Sequence, residues 1–258
     1  MGLDLTFLHA GHVPRCNARV DKYFEGYQSL QFIRRGEVEL FYDNMRYVLE
    51  TPMFWTCYPG PRIRFHGYQG QTWHHRYVAV GGPGLLDLQQ RGLLFRGLQS
   101  CPTRYVDQCA ALMDRIIGLL QTPDPLSSQR AGNLFESLLL DLAEWRQARS
   151  QSKPWMATLL TALETSPQAS VDYHALAQRC GLALSTMRRR FRKETGLALH
   201  HYALELRIAK ACRLVGATGL PFKEIAEKLG YDNVFYFSRQ FRKFQGVPPL
   251  EYRRSRQS

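Results

Sequence analysis

The chain has 258 residues, 45% of them hydrophobic, enough to build the cores of two domains. Its net charge of +12 is uneven: from Lys153 onward 18 Lys and Arg face 8 Asp and Glu, and before it 16 face 14. A basic surplus confined to one part points to a polyanion partner for that part rather than to general solubility, and no run of about twenty apolar residues offers a membrane span.

Residues 1–20 form a mixed arm with His9, Gly11, His12 and Pro14 and no strong period. Residues 27–80 read as strands. Leu30 and Phe32, then Val38, Leu40 and Tyr42, then Tyr47 and Leu49 alternate with polar neighbours. Asp43-Asn44 between two such runs predicts a hairpin. Arg34-Arg35-Gly36-Glu37 and Tyr58-Pro59-Gly60-Pro61 mark further turns. Short strands at this spacing predict a small barrel or jelly roll. Residues 102–121 and 128–148 read as two amphipathic helices separated by Pro123-Asp124-Pro125, the second started by Ser127 or Ser128. Arg149-Ser150-Gln151-Ser152-Lys153-Pro154 is short, polar and apolar-free, which predicts a linker. The predicted organisation is therefore a first domain at 1–148, a linker at 149–154 and an all-helical domain at 155–258.

In that second domain a lead helix from Trp155 to Leu163 precedes a repeated pattern. Ser170 is placed to cap Val171–Cys180, Gly181 makes a turn, and Leu184–Glu194 forms a second helix. Leu184, Met187 and Phe191 share one face of it, while Ser185, Arg188, Arg189 and Arg192 lie away from that face. About fifty residues on, Pro221–Leu229 is followed by Gly230, and a helix opens at Asp232, read as its cap. Phe237, Phe241 and Phe244 share one face, with Val234 at its margin, and Phe235, Ser238, Arg239 and Arg242 share another. Ala177 and Ala226 each stand four residues before the turn glycine, where two helices must approach closely. Helix, glycine turn, basic amphipathic helix is the helix-turn-helix pattern, here in two copies. His200–Val215 bridges them, with Ala203, Ile208 and Leu214 on its buried line. The basic faces carry Ser185 and Ser238 rather than a broad apolar stripe, so duplex DNA suits them better than an anionic membrane surface.

These residues carry a family resemblance. Glu224-Ile225-Ala226, Gly230-Tyr231, Tyr236-Phe237-Ser238-Arg239, Phe241-Arg242-Lys243, Gly246-Val247-Pro248-Pro249 and Tyr252-Arg253 make 155–254 similar to the DNA-binding domain of AraC/XylS-family bacterial transcription regulators. The first domain resembles the cupin-like sensor half of the family's sugar-responsive, arabinose-regulator branch. There the likeness rests on Tyr58-Pro59-Gly60, Phe65-His66-Gly67 and Trp73-His74-His75-Arg76-Tyr77; Thr51-Pro52 stands where the family often has Gly-Asp. The resemblance implies an α+β architecture: a cupin-like β-barrel or jelly roll with a helical pair, then the all-α domain with two helix-turn-helix units. It implies base contacts from Ser185, Arg188, Arg189, Val234, Phe235, Ser238 and Arg239. Arg192, Lys193, Arg242 and Lys243 are placed to supply phosphate contacts. It implies effector contacts, to a sugar or another small molecule, from His66, His75 and Tyr77; ordinary alternating strand residues are the competing reading of those positions. It implies a homodimer through the helical pair, which can equally serve to cover the barrel's open edge, and RNA polymerase as a further partner of an activator.

No cofactor is expected and no metal. A metal-binding cupin uses an HxH pair with a nearby Glu, no Glu occurs between Arg62 and Leu88, and His74 and His75 must fall on opposite strand faces. Six Cys without a CxxC pair, and an opening Met-Gly-Leu-Asp without basic residues, lead us to expect a reduced, cytoplasmic, nucleoid-associated bacterial protein. Two other classes stay open: a metal-free cupin-type enzyme, which would show turnover, and an effector-independent DNA-binding protein, which would ignore small molecules.

Overall fold

A computed structural model describes residues 4–122, 124–165, 171–195 and 197–257. Pro123 and Ser170, expected to break one helix and to cap another, lie outside the described residues. The chain divides into two compact units, Met1–Trp145 and Arg146–Ser258.

The first unit is built from two antiparallel sheets. Its strands are β1 (Thr6–Cys16), β2 (Val20–Tyr23), β3 (Gln28–Ile33), β4 (Val38–Tyr42), β5 (Met45–Leu49), β6 (Met53–Cys57), β7 (Arg62–Gly67), β8 (Trp73–Gly81) and β9 (Leu98–Ser100). One sheet runs β1-β8-β3-β6-β9, the other β2-β7-β4-β5. The hairpin expected at Asp43-Asn44 joins β4 to β5, Tyr42 pairing with Met45 and Asp43 taking the positive φ of 52° that such a turn needs. The arm read as having no strong period contains the strand β1, paired with β8 from Thr6↔Gly81 to Cys16↔Trp73. Register shifts between Phe7 and His9 and between Val13 and Cys16 break its alternation, which is why no period of two was visible.

Side-chain alternation gives the unit two cores. Ile33, Leu40, Trp55, Ile63, Phe65 and Trp73 meet between the two sheets. On the other face of the larger sheet, Leu30, Phe32, Phe54, Val78 and Val80 pack against helices. Those helices are α1 (Gly84–Gln90), which the sequence did not announce, α2 (Val106–Leu120) and α3 (Pro125–Gln151). Cys109, Met113, Ile116 and Ile117 of α2 and Ala131, Phe135, Leu138, Leu139 and Leu142 of α3 supply the helical side at three-to-four spacing. Full burial of each such aliphatic side chain contributes about 2 kcal/mol.

Most of the stretch read as a linker is helical, because α3 continues to Gln151. Only Ser152 and Lys153 separate it from α4 (Pro154–Thr165). The polar residues have a local reason to stay ordered: Lys153 pairs with Glu194, and the Arg149 guanidinium lies 3.8 Å from the same carboxylate. Composition alone could not reveal a partner forty residues away.

The second unit continues with α5 (Tyr173–Arg179), α6 (Leu184–Thr195), α7 (Leu199–Ala217), α8 (Phe222–Lys228), α9 (Val234–Gln245) and α10 (Pro249–Gln257). Met156, Leu159, Leu163, Leu176, Met187, Phe191 and Leu199 form a core around α4, α5, α6 and the start of α7. In α7 the buried line is Leu199, Ala203, Arg207, Ile208, Ala211, Cys212 and Val215. Leu214, placed on that line by its period, is only half-buried, and Arg207 occupies the interior instead.

Candidate nucleic-acid interface

Two helix pairs share one turn geometry. Between α5 and α6 the turn residue Gly181 takes φ 65°, and between α8 and α9 Gly230 takes φ 73°, a left-handed conformation that disfavours any side chain. The hydrogen bonds repeat as well. Gly181 N–H donates to Gln178 O at 2.9 Å and Leu182 N–H to Ala177 O at 3.0 Å; Gly230 N–H donates to Glu227 O at 2.9 Å and Tyr231 N–H to Ala226 O at 2.9 Å. Ala177 and Ala226 are buried, as a close approach of two helices requires.

Capping differs from the sequence expectation in both pairs. The Asp172 carboxylate accepts from the N–H groups of His174 and Ala175, both at 3.0 Å, so the first helix opens at Tyr173. Asn233, not Asp232, caps α9: its Oδ1 accepts from Phe235 N–H at 2.7 Å and Tyr236 N–H at 3.3 Å. The second turn carries one residue more than the first before its helix begins, which shifts the cap by one position.

The faces of α6 and α9 divide as their sequences predict. Met187 and Phe191 are buried, and so are Phe237, Phe241 and Phe244. Ser185, Arg188, Arg189, Arg192 and Lys193 are exposed on α6. On α9 Arg239, Arg242 and Lys243 are exposed, Val234 and Ser238 half-buried, and Phe235 is 76% exposed. A phenyl ring that open on a capped helix start is not serving the core of its own unit. Tyr236 is 48% exposed beside it, a residue the sequence marked only as part of the family motif and not as a DNA contact.

The expected effector residues do not come together as a set. His75 and Tyr77 lie on the face of β8 that looks between the two sheets. The His75 ring stacks on Trp55 with centroids 5.5 Å apart and planes 5° apart, and it lies 5.5 Å from Tyr77. Its Nε2 is 2.7 Å from Gln31 Oε1, and Gln31 Nε2 donates to Ser29 Oγ at 2.6 Å. Burial pushes the His75 pKa down to about 3, so the imidazole is neutral. Trp73 adds a buried indole N–H with no acceptor among the described residues. From β1, His9 packs edge-on to Tyr77 at 5.7 Å, and a Cβ on Gly11 would stand 2.8 Å from the Tyr77 hydroxyl, so a side chain there would have to push the Tyr77 ring aside.

His66 is the correction. On β7, Ile63 and Phe65 face the core, so the period of two turns His66 to the outside. There its Nε2 lies 3.4 Å from Glu39 and its ring 6.3 Å from Phe41. His74, by the same alternation, leaves His75 behind and packs edge-on against His12 at 5.0 Å on the helix side of the sheet. On that side Arg76 holds Asp114 of α2 through two hydrogen bonds of 2.8 Å, and His12 joins the same carboxylate at 3.0 Å.

Twin helix pairs with outward basic faces define a helix-turn-helix protein, and residues 176–255 match the family model described as a helix-turn-helix domain. Over 192 residues the chain is 25% identical to the HTH-type transcriptional activator RhaR of Salmonella dublin, covering 72% of this chain and 60% of that protein. Among solved structures it is similar to the C-terminal domain of AraT, a response regulator from Geobacillus stearothermophilus, with 31% identity over 40% of this chain and 84% of that one and a TM-score of 0.37. An AraC-type transcriptional regulator from Chromobacterium violaceum matches at 25% identity over 42% and 96%, with a TM-score of 0.39. Residues 176–255 are thus a helix-turn-helix domain, and the chain is similar to HTH-type transcriptional activators and to AraC-type DNA-binding domains. It spans about 60% of the length of the curated relative it matches over most of its own. Among the described residues, no helix is long and apolar enough to cross a membrane.

Proposed function

We propose that this chain binds duplex DNA sequence-specifically through α6 and α9 and activates transcription in response to a small uncharged effector held between the sheets of its first, cupin-like unit. The observation that carries the DNA reading is the repeat of one turn geometry, each time followed by a helix with a buried apolar face and an open basic face. Ser185, Arg188 and Arg189 on α6, and Val234, Phe235, Ser238 and Arg239 on α9, are the base-reading side chains. An arginine can donate to O6 and N7 of guanine together, while Val234 and Phe235, without donors, suit thymine methyl groups. Arg192, Lys193, Arg242 and Lys243 hold phosphates and give salt-dependent affinity. As two helix-turn-helix units of one domain, the helices read successive major-groove segments about 34 Å apart.

The effector reading rests on His75 and Tyr77 without His66. A neutral imidazole, a phenol and the unpaired Trp73 indole N–H among stacked aromatic rings suit an uncharged, hydroxyl-bearing molecule with an apolar face, such as a sugar. An effector acts only through a difference in affinity between two arrangements of the protein. Homodimerisation, through exposed apolar side chains of α3 such as Leu126 and Leu140, and contact with RNA polymerase complete the proposal.

The test is selection of bound duplexes from a random pool by the full chain, followed by footprinting and a sugar screen by thermal shift. Enrichment of one sequence protected over two consecutive major-groove segments is expected. Recovery of unenriched DNA with a uniform salt response would overturn the sequence-specific reading. A midpoint unmoved by every sugar, in wild type and Tyr77→Phe alike, would overturn the effector reading while leaving DNA binding intact.

A further inference from the structure

We propose that Cys101 and Cys109 form an oxidisable dithiol, a modification site that takes a hydroperoxide and becomes an internal disulfide. The two sulfurs are 3.8 Å apart, in contact, and both residues are buried. Cys101 follows the three-residue edge strand β9 in an irregular connection, and Cys109 closes the first turn of α2. A bonded pair needs an S–S distance of ~2.05 Å, so the sulfurs must close a gap smaller than a rotamer change spans. Short edge strands and turns open locally more readily than cores, which gives a small oxidant a route in.

The two thiols are chemically unequal. The shared hydrogen bond lowers the Cys101 thiol and pushes the Cys109 thiol far above its ordinary range, so when the pair loses a proton Cys101 is the one that gives it up. Burial raises the thiols of Cys16, Cys57 and Cys180 instead. Cys101 is therefore the nucleophile and Cys109 the resolving thiol.

The step balances with the hydroperoxide as oxidant. The Cys101 thiolate attacks one peroxide oxygen, the O–O bond breaks, and the departing alkoxide takes a proton to leave as an alcohol. Cys101 is then a sulfenic acid. Cys109 sulfur attacks Cys101 sulfur, the S–O bond breaks, and hydroxide leaves with the Cys109 proton as water. Two thiols and one hydroperoxide give one disulfide, one alcohol and one water, with two electrons passing from sulfur to oxygen. The product ties the β9 edge to the helix whose Asp107 already holds Arg34 and whose Asp114 holds Arg76.

The inference is independent of DNA binding and is tested without it. The full chain is exposed to hydrogen peroxide, quenched with N-ethylmaleimide and mapped with trypsin without reduction. Arg104 lies between the two cysteines, so cleavage separates their peptides unless a disulfide joins them. Expected are a loss of two hydrogen atoms in intact mass, one linked peptide pair that dithiothreitol releases, and Cys101 consumed roughly tenfold faster than half-buried Cys180. Cys109→Ala should instead leave a dimedone-reactive Cys101. Peroxide treatment that oxidises Cys180 while both 101 and 109 still take maleimide overturns the proposal, as does separate sulfinic acid at either site. The mapping of the unmutated chain decides even if Cys109→Ala fails to fold.

Discussion

The Arg207 guanidinium lies over the Tyr231 ring, 5.4 Å from its centroid. Arg207 is buried at the middle of α7, and Tyr231 directly follows the turn glycine of the second helix pair. Tyr231 packs on Phe237 at 5.5 Å and Tyr236 at 6.0 Å, both on α9. On the other side, the Arg207 charge draws down the burial-raised pKa of Tyr173 in α5, over whose ring Arg188 lies at 5.8 Å. One interior cation thus packs on the second helix pair and acts electrostatically on the first. Replacing it by methionine, similar in length, removes a desolvated cation–π contact of about 1–2 kcal/mol. We expect Arg207→Met to bind a duplex with both recognition segments several-fold more weakly, yet to lose little on duplexes with either segment scrambled. Titration of the three duplexes checks this; an equal loss on all of them would reduce Arg207 to a stability residue.

The caps give a sharper test of local structure. Asn233→Ala and Asp172→Ala should each lower unfolding free energy by about 1 kcal/mol, because each strands two helix N–H groups. Asp232→Ala should stay within about 0.5 kcal/mol. Urea unfolding with a constant m-value measures all three, and a larger loss at 232 than at 233 would reverse the assignment.

For DNA, the exposed faces predict two kinds of loss. Arg188→Ala should relax base preference at one position of the selected site by ~1–3 kcal/mol. Lys243→Ala should weaken all sequences alike and reduce the salt slope by about one. Competition between specific and random duplexes at two salt concentrations separates them, and identical behaviour of both variants defeats the partition.

Acid should destabilise the first unit through His75. The folded pKa, about 3, lies below the unfolded value of 6.5, so the fold holds the neutral ring. Its contribution is complete above pH 6.5 and falls by about 1.4 kcal/mol per unit as pH drops from 6.5 towards 3. His9, His12 and His74 shift in the same direction, each chiefly through burial. The His75 share is therefore read as the difference between wild type and His75→Gln, measured by urea unfolding at pH 7.5, 5.5 and 4.5. A difference that does not change with pH would refute it.

What the sequence disclosed followed from short-range rules. Gly181 and Gly230, with apolar residues at helical spacing after them, determined both helix pairs, and Asp43-Asn44 determined a hairpin, because each is decided within a few residues. What it concealed depended on distant partners. β1 is defined by β8, some sixty residues away, and its two register shifts erase the alternation that marks a strand. Residues 149–151 look like a tether but are helical, with Glu194 answering Arg149 and Lys153. His66 was grouped with His75 by family likeness, although Phe65 beside it must face inward and so turns it out. Arg207 was hidden because the ring it packs on, Tyr231, comes from the second helix pair.

Because β1 covers one whole margin of β8, residues 6–16 are not a detachable tail. Shaving them off would bare a row of unsatisfied peptide groups from Trp73 to Gly81 and strip Arg76 and Asp114 of their histidine neighbour. Such a naked border templates the addition of further chains, so a shortened protein should clump rather than simply lose a response.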